Sequence, residues 1–579
     1  MRREAVVLAA VLLVGYSLYG GLFLAAGAAQ SALAPSTSYP TDPMLAAENR
    51  SVGRAGTFDF APAEAGFDYE YEVSATGGMM RTTNAGVYTA DYDGDGWQDL
   101  LAVGGEHPVL FRNTGGSFVR SGALPPIAGE VRSALFLDHD GDGDQDLLFL
   151  ADGRAPQLLE NVGGAFEHAD AFEDSLPLAW GATTADYDRD GCLDLFVYQY
   201  GNWTKRLPEG YGSGNYSVPV NEDNGNPDHL YRGTCGDFEH VNATAAGIRG
   251  ARWTLAASFV DLTGDGLPDI HQANDINYDV LYVNQGDGTF RQVLLPERTN
   301  RNGMSSEVAD VTRDGRLDVF VTNIFYPKWA MRQINAGLLL KARGNNLIAN
   351  HGNGTFVMRG DQYGINVGGW GWAAVIADLD NDGDQDLFHT TRNMSFERRD
   401  VYFTDAEKRR LNSHEFYHYP VLYARAGQTF TGVSAQASGF PQLNSRGVAR
   451  LDFDRDGRLD LAVATTGEYR LFENRMDRGR AVQVRVLGPG GSPAGALGAT
   501  VTVAAPTLPN GSVERRVHAR TDFLSQDSRL VHVGVGNAST VDVTVRWPDG
   551  TERTFRDVAV GGRVVVSPDG VETRYDFGD

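Results

Sequence analysis

The sequence predicts an all-β chain: a seven-bladed β-propeller followed by a C-terminal β-sandwich-like domain. Three observations predict it. A ten-residue acidic motif recurs seven times. Short apolar runs of strand length flank each copy. Of 579 residues, 70 are glycine, a usage suited to tight turns between short strands.

The first motif runs from Asp91 to Leu100, with oxygen ligands at Asp91, Asp93, Asp95 and Asp99 and a glycine at its sixth position, Gly96. The other copies place ligands at Asp138, Asp140, Asp142 and Asp146; Asp186, Asp188, Asp190 and Asp194; Asp261, Thr263, Asp265 and Asp269; Asp310, Thr312, Asp314 and Asp318; Asp378, Asp380, Asp382 and Asp386; and Asp452, Asp454, Asp456 and Asp460. Oxygens at positions 1, 3, 5 and 9 suit calcium, a hard cation that takes six to eight of them. The glycine lets the chain turn and offer the position-7 carbonyl. The position-9 aspartate is expected to close the shell with both oxygens. An EF-hand would close with Glu at position 12 between helices; here the flanks are strands, Val87–Ala90 before and Leu100–Val103 after. Up to seven calcium ions are expected. A lone copy could be an Asp-Gly turn with solvated carboxylates, but seven in register argue against that.

The charge agrees. Fifty Lys and Arg against 75 Asp and Glu give −25, and the loops' 26 acidic ligands account for all of it. Such a balance argues against a nucleic-acid partner. Two cysteines exclude a disulfide scaffold or a Cys-rich zinc module.

Each repeat continues past its loop to an apolar strand ending in Asn, a Gly-rich turn and a Phe: Asn113 to Phe118, Asn161 to Phe166, Asn284 to Phe290, Asn350 to Phe356. The unit is therefore strand A, acidic loop, strand B, connection, strand C, Gly turn, strand D. Asp-x-Asp-x-Asp-Gly-x-x-Asp-Leu with Asn-x-Gly-x-Gly-x-Phe resembles the FG-GAP/VCBS repeat of integrin-α-type propellers. Seven copies then imply seven blades. Ser525-Gln526-Asp527-Ser528-Arg529 through Gly536, with Trp547-Pro548-Asp549-Gly550, resembles the ASPIC/UnbV domain, although Val533 and Val535 stand where that family usually has Phe and Leu. The combination is similar to the cartilage acidic protein-like family. The expected domains are a signal peptide or N-terminal membrane anchor (1–34), a linker (35–55), the propeller (56–476) and the ASPIC/UnbV-like domain (480–570).

In an up-and-down blade the A–B and C–D turns share one face. All seven acidic loops then lie on the bottom, and the insertions near 201–228, 326–346 and 393–420 on the top. Trp180, Arg252, Trp253, Trp370, Trp372 and Arg446, where strands A begin, are the expected ligand-facing residues; the alternative is that they pack the rim. Cys192 in the third loop and Cys235 in that blade's C–D turn are expected to form a disulfide, the alternative being two thiols.

Two further expectations concern sequence extremes. The run from Ala5 to Ala29 is long enough to span a bilayer, and Ala32-Leu33-Ala34 offers a signal-cleavage site; both readings place the body outside the cytoplasm. The seventh repeat lacks its own strand D, and residues near Thr57–Phe60 are expected to supply it beside Tyr469–Phe472. The expected role is binding or adhesion at the cell surface, extracellular or envelope-located, toward a protein or glycan. The alternatives are a structural envelope protein or an enzyme on the top face. That enzyme would be a calcium-dependent lyase or cyclase, or a zinc hydrolase using His414, Glu415 and His418, which spell H-E-x-x-H just before Pro420.

Overall fold

Among the described residues seven sheets of antiparallel strands follow one another along the chain: five have four strands, the seventh has five with two N-terminal strands added, and the first has four plus a two-stranded hairpin that joins it in parallel. This is a computed structural model describing residues 58–72, 85–169, 171–201, 225–275, 277–295, 302–326, 344–392 and 404–577. The described residues all belong to one compact unit, Val52–Asp579. The expected signal or anchor and the linker lie outside them. Among the described residues no helix is long and apolar enough to cross a membrane.

The innermost strands are Gly86–Ala90, Val131–Leu137, Ala179–Ala185, Thr254–Val260, Glu307–Ala309, Gly371–Ala377 and Ser445–Leu451. Every residue in them is buried. That explains why they read as small and apolar rather than alternating. In all seven sheets the residue before the acidic loop pairs with the motif's ninth residue, as in Ala90 with Asp99 and Leu451 with Asp460. The motif therefore sets the A–B register. Consecutive innermost strands lie side by side, and Ser445–Leu451 returns against Gly86–Ala90. Between the fourth and fifth, Ser258 Oγ and Ser306 Oγ are 2.9 Å apart.

The N-terminal segment completes the seventh sheet. Phe60, Ala61 and Pro62 pair with Asn474, Glu473 and Phe472, and Tyr69 and Glu70 pair with Tyr469 and Glu468 farther along. The pairing thus begins where the expected Thr57–Phe60 strand ends. The shift follows from packing: Phe60 contacts Phe440, which contacts Phe472, and Phe58 stacks on Phe60 instead of joining the ladder.

Residues 480–576 form two further four-stranded sheets. One holds Val531–Gly536, Arg480–Val486, Gly562–Ser567 and Gly570–Asp576. The other holds Ser512–Arg516, Thr500–Ala504, Thr540–Arg546 and Glu552–Ala559. Alternate valines from both (Val482, Val484, Val501, Val503, Val533, Val543, Val545) share one core with Trp547, whose Nε1 donates to the Leu487 carbonyl at 2.8 Å. This is the expected sandwich.

Where this domain sits is set by contacts far apart in the sequence. A hairpin, Thr521–Asp522 and Ser525–Gln526, leaves it and, with Asp527, hydrogen-bonds to innermost segments of six sheets. Ser525 and Gln526 pair in parallel with Val87 and Tyr88. Gln526 Oε1 accepts from Phe136 N at 2.8 Å, and Thr521 Oγ1 donates to Ala257 O at 3.4 Å. Asp522 accepts from Ser306 N and Ala374 N at 2.7 and 2.6 Å; Asp527 accepts from Arg450 N at 2.9 Å. A single hairpin reaches six sheets only from the axis they surround. It plugs the channel.

Candidate calcium loops

Each acidic loop is folded by its own carboxylates. In all seven, the position-6 glycine has φ between +81° and +105°, a region costly for residues with a Cβ. Its N–H donates to the position-1 aspartate. The position-7 N–H donates to Oδ1 at position 5. One donor set thus bends seven different sequences alike.

The position-9 aspartates do more than close an ion shell. Asp99 accepts from Asn113 N on strand C at 2.7 Å and from Tyr92 N in its own loop at 3.1 Å. Asp146, Asp194, Asp269, Asp386 and Asp460 likewise bond both to strand C and to the loop. Each latches its loop to the neighbouring strand, a role that stands beside the expected one toward an ion. In Asp99, Asp194, Asp386 and Asp460 each oxygen accepts one such bond and retains a lone pair, whereas Oδ2 of Asp146 and of Asp269 takes two partners and leaves Oδ1 as the oxygen with room for an ion.

The residues fit calcium. Carboxylate oxygens of Asp91, Asp93 and Asp99, of Asp138, Asp140 and Asp142, of Asp186, Asp188 and Asp194, and of Asp378, Asp380 and Asp386 lie mutually within 4.8 Å. Asp186 Oδ1 and Thr263 Oγ1 are buried without any hydrogen-bond partner, acceptors an ion would satisfy. Oxygen-only donor sets of this kind select hard cations. In the first, third and sixth loops the glycine turn brings the third position to the first and ninth, which the sequence keeps apart.

Burial pushes these carboxyls up: Asp99 and Asp194 to about 8 and Asp269 to about 7, against opposing backbone hydrogen bonds. Asp144, beside the second loop's ligands, rises to about 7 through burial and the charges of Asp142, Asp146, Asp140 and Asp138. A carboxyl raised in the fold binds more protons there than in the unfolded chain. The calcium-free protein should therefore lose stability as pH rises from about 4 to about 8. Calcium needs the ionised form, so its affinity should rise over the same window with protons released. Melting temperatures at pH 5 and 8, with EGTA and with calcium, check both slopes.

Sequence reasoning missed the ties between loops. Asn113, Asn161, Asn284, Asn350 and Asn474 each donate through Nδ2 to the position-2 carbonyl of the preceding sheet's loop: Phe453, Tyr92, Tyr187, Leu262 and Leu379. The sixth sheet has Arg425 instead, and its longer side chain reaches the equivalent carbonyl of Val311 at 2.7 Å. The third has Gly233, and there Cys192 and Cys235 form a disulfide between loop and C–D turn. The recurrent Asn was visible, but its partner lies in another repeat.

The expected ligand face is not a surface. Trp180, Trp253, Trp372 and Arg446 are at most 6% exposed, Arg252 is buried and Trp370 half-buried. The reason is the plug: Phe523 packs on Trp372 and Trp180, with ring centres 4.8 and 6.2 Å away, and Arg446 lies over Trp372. Trp253 packs on Tyr200, and Arg252 donates to Tyr282 Oη and Arg249 O. The insertions expected on the top face lie largely outside the described residues. His414-Glu415-Phe416-Tyr417-His418 is not on an α-helix. Glu415–Tyr417 is a single 3-10 turn, and Glu415 accepts from Ser434 Oγ and Gln436 N. The zinc-peptidase arrangement requires both histidines on one helical face, and this turn does not provide it.

Comparison with known proteins agrees with the repeats. The FG-GAP-like repeat family matches residues 91–149, 138–197, 261–321 and 338–389, and ASPIC and UnbV matches 489–573. Cartilage acidic protein 1 of Xenopus tropicalis is 24% identical over 300 residues, 51% of this chain and 41% of that one. The human protein of that name is 24% identical over 327 residues, 55% and 44% of the two chains. The match thus spans less than half the length of these relatives. A lectin of Agrocybe aegerita, solved for its recognition of non-reducing terminal N-acetylglucosamine, is 17% identical, covering 65% of this chain and 88% of its own at a TM-score of 0.36. The chain is thus an FG-GAP-repeat protein with a C-terminal ASPIC/UnbV domain, distantly similar to the cartilage acidic proteins.

Proposed function

We propose that this is an exported, calcium-stabilised propeller acting in extracellular binding or adhesion through the top-face loops, with up to seven ions in the acidic loops. One observation carries the choice of face. The protein's own C-terminal domain bonds to the acidic-loop side, and its hairpin fills the channel. Arg485 pairs with Asp91 at 2.8 Å, Gly534 N donates to Asp378, and Arg563 donates to the Gly96 carbonyl. What remains for a partner is the opposite side, where B–C connections carry the long insertions. Loops on a rigid scaffold are the usual place for recognition. The similarity to cartilage acidic proteins supports the extracellular setting. Calcium would supply rigidity by joining carboxylates that otherwise repel.

The test is to screen the calcium-loaded full chain against arrays of glycans and secreted proteins. Saturable binding should be lost when the insertion between Tyr326 and Asn346 is shortened. It should survive Arg556→Glu, an exposed change on the C-terminal domain. Binding that follows Arg556 and ignores the insertion would contradict the reading.

A further inference from the structure

The position-1 aspartates are not treated alike by the C-terminal domain. In the third, fourth and fifth loops, Asp186, Asp261 and Asp310 accept hydrogen bonds only from their own loop among the described residues. In three others the domain adds uncharged donors. Asp138 Oδ2 accepts from Ser492 Oγ at 2.9 Å and Ala494 N at 3.4 Å. Asp378 Oδ2 accepts from Gly534 N at 2.7 Å. Asp452 Oδ2 accepts from Gln483 Nε2 at 2.6 Å. The first loop differs again, because its donor is the cation of Arg485, on Asp91 Oδ2.

A carboxylate oxygen has two lone pairs. In Asp378 and Asp452 the domain's donor and the loop glycine together fill Oδ2. Oδ1 takes one backbone N–H, from Asp382 or Asp456, and keeps a lone pair for an ion. In these two loops the domain therefore stands one bond outside the ion, where donors fix a ligand's orientation without displacing the metal; on Asp138 each oxygen has one short donor, Gly141 N or Ser492 Oγ at 2.9 Å, and one long one, Gly143 N at 3.5 Å or Ala494 N at 3.4 Å. Its buried arginines behave differently. Arg515, Arg529 and Arg563 donate to the carbonyls of Gly383, Phe136 and Gly96 and leave the aspartate oxygens alone.

We propose that the C-terminal domain sets the calcium affinity of the second, sixth and seventh loops, with Ser492, Gln483 and the Ala494 and Gly534 amides as positioning groups. This rests on the calcium reading above. The position-1 aspartates of the third, fourth and fifth loops receive no such donor among the described residues. Arg485 is the contrast: an arginine on Asp91 adds positive charge beside the ion and does not strengthen it. By thermodynamic reciprocity, ions in the second, sixth and seventh loops hold the domain and its hairpin in place.

The experiment is a calorimetric calcium titration of the full chain and its variants, with circular dichroism to verify folding. Gln483→Leu should weaken one site about 10–100-fold and leave the rest. Ser492→Ala should weaken a different single site, by less, because the Ala494 amide remains. Arg485→Gln should weaken none. In the unsubstituted protein, calcium removal should speed amide exchange across residues 520–527. Calcium binding unchanged by both Gln483→Leu and Ser492→Ala would overturn the proposal while leaving the calcium reading intact. So would equal weakening by Arg485→Gln. A protein that takes up no calcium at all would end both.

Discussion

Replacing Phe523 by Ala should destabilise the protein by about 3–5 kcal/mol, the largest effect expected of any single side chain in the C-terminal domain. Phe523 is wholly buried, yet belongs to a hairpin from another domain. Its ring lies against Trp372 and Trp180, and Leu524 beside it is 2% exposed. The backbone around it is equally committed, since Leu524 O accepts from Val87 N at 3.1 Å. Removing the ring leaves a cavity on the axis of the sheets, where strands tied on both sides cannot close in. Phe523→Leu should cost less, because most of the volume stays. Chemical denaturation of the three proteins decides it. A loss below about 1 kcal/mol for the alanine variant would mean that the hairpin only rests in the channel and adds little to the core.

Removing calcium should produce a loss of similar or larger size. A ligand bound only by the native state adds RT ln(1+[L]/Kd) per site. With extracellular-type Kd values of roughly 10⁻⁴–10⁻³ M and about 2 mM calcium, each loop contributes about 0.7–1.8 kcal/mol. Seven loops together reach on the order of 5–13 kcal/mol. Without ions, clustered carboxylates such as Asp378, Asp380 and Asp386 must share a buried space, eased only by neighbours such as Arg478 on Asp380 at 2.7 Å. The loss should be graded. Asp93→Ala with Asp95→Ala should cost more calcium affinity than alanine at Thr263, where the loop already lacks one charge.

What was legible in the sequence was local and repeated. The loop ligands, the glycine turn, the A–B register and the Asn at the end of strand C are set within one repeat, and seven copies made the pattern unambiguous. Closure by the N-terminal segment was legible too, because the seventh repeat visibly lacks a strand, although Phe58 was wrongly given a place in the ladder. The rest depends on contacts between segments hundreds of residues apart. In the sequence Ser525-Gln526-Asp527 carries only a resemblance to the ASPIC/UnbV domain. Only the fold shows its side chains bonding to the innermost strands: Gln526 to Phe136, and Asp527 to Arg450. That same hairpin turned the tryptophans expected to face a ligand into core residues. A Trp at the start of a strand looks the same in sequence whether water or Phe523 lies against it.

If the seven repeated loops hold calcium and the fold depends on it, bound ions and stability must rise together. Equilibrium dialysis of the purified full chain, counting bound calcium per chain while following its melting temperature, tests this most directly. Several ions per chain, up to seven, should be bound at millimolar calcium, with a melting temperature that climbs as they fill and falls on adding EGTA. A chain that binds no calcium, or one that binds it and melts at the same temperature with and without EGTA, would contradict it.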